Sequence, residues 1–213
     1  MDDTPGAGAD AIAALFTRSD GSYLCARWGR PVVPLVFGVA EVSLPVFKGA
    51  FEALGHLAGH PVAETDPELG ANLMVFAVAD WAELAAVPGL DRLIPDLPAL
   101  LARLEGAGAN QYRIFRFDAA GGIKAAFVLL RQDVHLDAVP AEVLALAQAA
   151  QTWLLWSDTA FVGAAPLAQL GGRVILRPDI AGVIRAAYDP VLPVAATDPA
   201  HALRLAARLS RPQ

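Results

Sequence analysis

Pro140–Phe161 reads PAEVLALAQAAQTWLLWSDTAF, and this stretch decides the fold. Pro140 suits the first position of a helix, where its missing N–H would have no partner anyway. Glu142 follows in the first turn, where a carboxylate meets the positive end of the helix dipole. Val143, Leu146, Ala147, Ala150, Trp153 and Leu154 recur at helical spacing and predict one apolar stripe. No charge occurs from Val143 to Ser157. The helix is therefore expected to be central, with Ser157-Asp158 ending it in a turn. Gln148 and Gln151 lie three apart and project to one side. Two amides bonded to neighbouring backbone are the plain reading, and a ligand-facing pair is the functional one. Trp153 and Trp156 are either core or the wall of an apolar pocket.

Working outward, Tyr112–Phe117 reads YRIFRF and alternates, with Tyr112, Ile114 and Arg116 on one side and Arg113, Phe115 and Phe117 on the other. Ala119-Ala120-Gly121-Gly122 predicts a hairpin connection to a partner strand at Ile123–Arg131. Upstream, Val32–Val39 and Asn72–Ala79 read as buried strands, and Pro34 pushes the first towards a sheet edge. Between them Leu44–Leu57 has the apolar period of an amphipathic helix, stopped by Gly59 and Pro61. A strand, a crossover helix and a second strand predict a parallel pair. Helices are expected near residues 9–17, 96–106, 178–188 and 199–209, with Asp80 and Asp198 as caps. The expectation is one α+β domain over 1–213: a mixed β-sheet with a crossover helix, a late β-hairpin, a central buried helix and C-terminal helices, after a flexible start at residues 1–8.

Composition bounds the function. Hydrophobic residues make up 55% of the 213 and charged residues 18%, enough for a substantial core. The net charge of −6 and the pI near 5.1 disfavour a general nucleic-acid binder. Mean hydropathy is +0.45, yet the uncharged runs are broken by Gln, Pro and Gly, so no membrane span is expected. The acidic, Gly-rich start lacks the basic and apolar regions of a secretory signal, so a cytoplasmic location is expected. A single cysteine, Cys25, excludes an internal disulfide and a cysteine zinc cage.

Three phrases carry a family resemblance. Ala71-Asn72-Leu73-Met74-Val75-Phe76, Ser157-Asp158-Thr159-Ala160-Phe161 and Tyr188-Asp189-Pro190-Val191-Leu192-Pro193, in this element order, resemble a poorly characterised bacterial family of zincin-like proteins, mostly secreted. The resemblance spans about two-thirds of the chain, from the region of Arg27 to Pro193. It implies a metalloprotease-like fold whose central helix carries a His-Glu-x-x-His or Glu-Glu-x-x-Gln motif. Registered on Ser157-Asp158, that motif falls on Ala147, Gln148 and Gln151. Alanine cannot bind a metal, and a glutamine cannot take a proton near neutral pH. A zinc hydrolase needs about three N/O/S ligands and a carboxylate. The resemblance thus implies a pseudoenzyme, with no cofactor expected.

Other constellations carry alternatives. His56 and His60 are four apart, as in a zinc pair, and Glu64, Asp66 or Glu68 could add a ligand. Leu57 stands where a catalytic Glu would be, and the helix is expected to stop between the two histidines. Asp133, His135 and Asp137 are a solvated loop or a carboxylate–histidine pair. Arg27, Trp28 and Arg30 are a structural cluster or an anion site. The expected function is a non-catalytic ligand- or protein-binding module, with Arg27, Trp28, Arg30, Gln148, Gln151, Trp156 and Asp158 as candidate contacts to an unidentified small molecule or protein. The alternatives are a metal-dependent hydrolase built on His56, His60, Glu64 and Asp66, and a structural module. The apolar chain also predicts a homodimer.

Overall fold

Runs rich in Val, Leu and Phe form strands, and the apolar periods between them form helices. The computed structural model describes residues 8–209. Of the expected flexible start at residues 1–8, residues 1–7 lie outside the described residues. In chain order the elements are α1 (Ala9–Ala14), β1 (Cys25–Ala26), β2 (Pro34–Phe37), α2 (Leu44–Ala58), β3 (Leu73–Val78), two one-turn helices α3 (Ala82–Ala85) and α4 (Leu90–Leu93), α5 (Leu97–Gly106), β4 (Gln111–Phe117), β5 (Ile123–Arg131), α6 (Ala141–Trp153), β6 (Leu167–Leu170), β7 (Arg173–Leu176), α7 (Pro178–Ala187), β8 (Ala195–Ala196) and α8 (Ala200–Leu209).

The main sheet has the order β2-β3-β5-β4. The β2–β3 and β3–β5 pairs are parallel, and β5–β4 is the antiparallel hairpin predicted around 119–122. The fold is therefore α+β with a mixed sheet. Strand alternation sends side chains to both faces, and both are covered. Leu73, Val75, Ala77, Ala126, Val128 and Leu130 join the larger core with Phe47, Phe51, Trp153, Ile180, Val183 and Leu205. Phe76, Val78, Phe127 and Leu129 join a second core with Trp81, Leu84, Ile94, Leu97 and Leu101. Each buried Val, Leu, Ile or Phe among these stabilises the fold by about 1.5–3 kcal/mol, so covering only one face would forfeit the share buried on the other.

Asn72 fixes how β2 meets β3. Its Oδ1 accepts the Val33 N–H at 2.7 Å, and its Nδ2 donates to the Pro31 carbonyl at 2.8 Å. The Asp66 carboxylate closes the clamp, accepting Asn72 Nδ2 at 3.2 Å and the N–H groups of Glu68 and Leu69 at 2.9 Å each. Pro34 lies on the edge strand, as its missing N–H requires. Gly38 then leaves β2 at φ +78°, and an added Cβ would sit 1.8 Å from the Ala77 carbonyl oxygen, so only glycine fits.

Local signals act as expected at several ends. Asp80 accepts the Ala82 N–H at 2.7 Å while Glu83 accepts the Asp80 N–H at 2.9 Å, a reciprocal cap. Asp198 accepts the Ala200 N–H at 2.8 Å ahead of α8. Helix α2 closes on Gly59 at φ +61°, between the two histidines.

The central helix departs from expectation in three ways. Pro140 is its N-cap, in an extended conformation, rather than its first residue. Its buried face is Ala145, Gln148, Ala149, Ala150, Thr152 and Trp153, rotated from the expected stripe, with Leu146 only partly buried. Gln148 lies on that buried side, its amide bonded to Arg113 and Gln111 of β4. The helix also stops at Trp153, four residues before Ser157. Leu154 is extended at φ −130° and bridges Arg27, and the Leu155 N–H bonds the Ala26 carbonyl at 2.8 Å. Strand pairing thus takes over where apolar side chains alone would have prolonged the helix. The β1 strand falls within residues 23–27, which read as a short strand in the sequence, but its pairing with β8 and the small β6–β7 sheet are not expected from local periodicity. The β6–β7 sheet turns through Gly171 and Gly172, at φ +57° and +78°.

Candidate functional site

The antiparallel edge strand β4 has no strand on its outer side among the described residues. The Arg131 N–H bonds the Asn110 carbonyl at 2.8 Å. In the alternating ladder the even residues of β4 therefore face β5, and the N–H and C=O groups of Gln111, Arg113 and Phe115 point to the open edge. Arg116 Nη1 leans on the Phe115 carbonyl at 3.5 Å, at the limit of a hydrogen bond.

A groove of about 610 Å³ runs along this edge. One wall is β4 itself. The other is Gln151 near the end of α6, the extended segment Leu155–Asp158, and Phe161 and Val162, with Arg18 at the rim. The volume is that of an ordinary ligand site. Trp156 is fixed as a wall: it stacks on Phe16 with ring centroids 5.3 Å apart, meets Phe161 edge-on at 5.2 Å, and donates Nε1 to the Ala150 carbonyl at 2.9 Å. The Ser157 N–H bonds the Leu15 carbonyl at 2.9 Å. Asp158 accepts the Ser19 N–H at 3.0 Å and the Ser19 hydroxyl, and these bonds hold its carboxyl below the usual range.

Arg113 enters the groove from the strand. Its Nη2 donates to Gln148 Oε1 at 2.6 Å and to Gln111 Oε1 at 3.0 Å, and Gln148 Nε2 donates to Gln111 Oε1 at 3.0 Å. The guanidinium is thus seated among neutral amides. Its Nε is buried with no hydrogen-bond partner. Burial lowers its pKa to about 10. Arg30, Arg131, Arg177 and Arg208 each meet a carboxylate instead.

Of the residues expected from sequence, Gln151, Trp156 and Asp158 line this groove, and Gln148 holds Arg113 beneath it. Arg27, Trp28 and Arg30 lie elsewhere. Trp28 is fully buried and donates Nε1 to the Thr152 carbonyl at 2.9 Å. Arg27 lies over the Tyr188 ring and donates to the Leu192 carbonyl at 3.3 Å. Arg30 bridges Asp66 and Glu68. These three knit the core to the loops, which is the structural reading of that cluster.

The alternative metal set does not come together. His56 Nδ1 donates to the Glu52 carbonyl at 2.8 Å, while His60 Nε2 donates to the Arg30 carbonyl at 2.7 Å. Asp66 is committed to the Asn72 clamp, and Glu64 is exposed. Among the described residues no group of three or more His, Cys, Asp or Glu could hold a metal ion. Asp133 accepts the N–H groups of His135 and Leu136, which makes that stretch a loop. Cys25 is buried, and desolvation pushes its thiol up to about 12. No described helix is long and apolar enough to cross a membrane.

Sequence reasoning missed Arg113, Gln111, Phe115 and Arg18 as site residues. One signal was present: alternation put Arg113 on the same strand face as Phe115, a charge on an inward-facing side. No family model, curated protein or solved structure matches the chain.

Proposed function

We propose that the protein is a non-catalytic, zincin-like binding module that takes an extended peptide segment of a partner protein along the open edge of β4. The observation that carries this reading is the coincidence of an unpaired strand edge with a groove lined by residues 111–115 and Phe117 of the same strand. Three consecutive outward-facing residues, Gln111, Arg113 and Phe115, offer main-chain donors and acceptors there. An added strand would satisfy them, and the groove would receive alternate side chains. Helix α6, which follows β5 and lies beside that edge, offers only Ala147, Gln148 and Gln151 where a zinc hydrolase needs imidazoles and a carboxylate. The resemblance to zincin-like proteins supports the same reading, with the helix kept as a wall of the groove.

The test is amide hydrogen exchange with the capped pentapeptide acetyl-Val-Thr-Val-Thr-Val-amide as probe. The amides of Gln111, Arg113 and Phe115 become protected, while those of Tyr112 and Ile114, already paired with β5, do not change. Unchanged exchange at all five positions under saturating peptide would overturn the reading.

A further inference from the structure

We infer that the groove selects peptides carrying a carboxylate side chain, which Arg113 receives; this rests on the peptide-binding reading above. A guanidinium offers five N–H donors in a planar fork that matches a carboxylate. Here one nitrogen is spent on two amide oxygens, and Nε is buried without an acceptor. Desolvating a cation without a counter-charge is unfavourable, so a site that keeps one is poised to gain from an incoming anion.

The groove does not supply that anion itself. Asp158 is its one lining carboxylate among the described residues, and Ser19 holds both of its oxygens. Arg18 and Arg113 leave the lining with one excess positive charge in a chain whose net charge is −6. The local sign is opposite to that of the whole molecule.

Strand geometry places the acid in the peptide. On an added strand, the residue opposite Arg113 brings its Cβ within about 4.5–5.5 Å, close enough for an ion pair. The residue two positions along on the same face then lies opposite Phe115, near Trp156. The selected pattern is an acidic residue, any residue, then an apolar one, in whichever strand direction puts the apolar residue over Phe115.

The experiment compares acetyl-Val-Thr-Glu-Thr-Val-amide with its Gln counterpart by titration against the whole chain. The Glu peptide binds about tenfold more tightly or better, a gap expected from one charge-assisted contact. The gap shrinks to about twofold or less in Arg113→Gln but persists in Arg18→Gln. The comparison on the unmodified protein stands even if Arg113→Gln fails to fold. Equal binding of both peptides, with exchange protection along β4, overturns the role of Arg113 and leaves the groove. Binding of neither peptide, with no protection, overturns both.

Discussion

Arg113 on β4 donates to the Gln148 amide of α6 at 2.6 Å, so the contact between the edge strand and the central helix joins a cation to a neutral amide. Such a seat holds the side chain in place without cancelling its charge. The same bond goes with the observed rotation of α6, in which Gln148 faces the strand.

Arg113→Met is expected to change the unfolding free energy by less than about 1 kcal/mol, because relief of a desolvated cation without a counter-charge is offset by the loss of the donor to the buried Gln148 Oε1. Gln148 Nε2 keeps its bond to Gln111 Oε1 in the variant. The same substitution abolishes the preference for the Glu peptide. Chemical denaturation measures the first effect. A loss exceeding about 1 kcal/mol would show that Arg113 is kept for structure instead.

Trp153→Ala is expected to cost about 3–5 kcal/mol. The ring is fully buried at the end of α6, within the larger core. Its backbone carbonyl also takes the Tyr188 hydroxyl at 2.9 Å, tying α6 to the residue that caps α7. Thermal or urea unfolding gives the value, and a cost under about 1 kcal/mol contradicts this placement.

Stability is expected to fall as pH drops below 6.5, the ordinary value for a free imidazole. Burial pushes the pKa of both His60 and His201 down. The unfolded chain therefore takes up protons first as pH falls through 6.5, and the folded state loses ground until its own lower pKa is passed. His60 lies 4.9 Å from the Tyr188 ring, with the Arg27 charge also opposing its protonation. His60→Gln flattens the slope of unfolding free energy between neutral pH and the carboxylate range. An unchanged slope in both His60→Gln and His201→Gln would refute the assignment.

A homodimer is expected through the opposite edge of the sheet. Leu35 and Leu44 are exposed there and line an apolar cavity of about 520 Å³, with Lys48 and Glu64 also in its lining. Clustered exposed apolar groups mark interfaces, and a lining carrying both charge signs can be self-complementary under a two-fold axis. Pro34 on this edge argues for side-chain contact rather than strand pairing. Light scattering is expected to return twice the chain mass, and Leu35→Lys the single mass. A monomer for the unmodified protein would discard this interface.

The sequence by itself determined the parts that local periodicity encodes. The β4–β5 hairpin, the crossover helix α2 stopped by Gly59, the edge position of Pro34 and the caps at Asp80 and Asp198 each follow from spacing or from one residue's backbone chemistry. It also placed Trp153 in the core, and left Trp156 between core and pocket wall and Gln151 between a structural amide and a ligand contact. Only the tertiary structure decided where α6 ends, which of its faces is buried, and that Arg27, Trp28 and Arg30 serve the core. Those outcomes depend on partners distant in sequence: Ala26 captures Leu155, Arg113 captures Gln148, and Thr152 captures Trp28. The groove was illegible for the same reason. Its walls come from residues 18, 111–117 and 151–162, and an unpaired strand edge exists only once the order of strands is fixed.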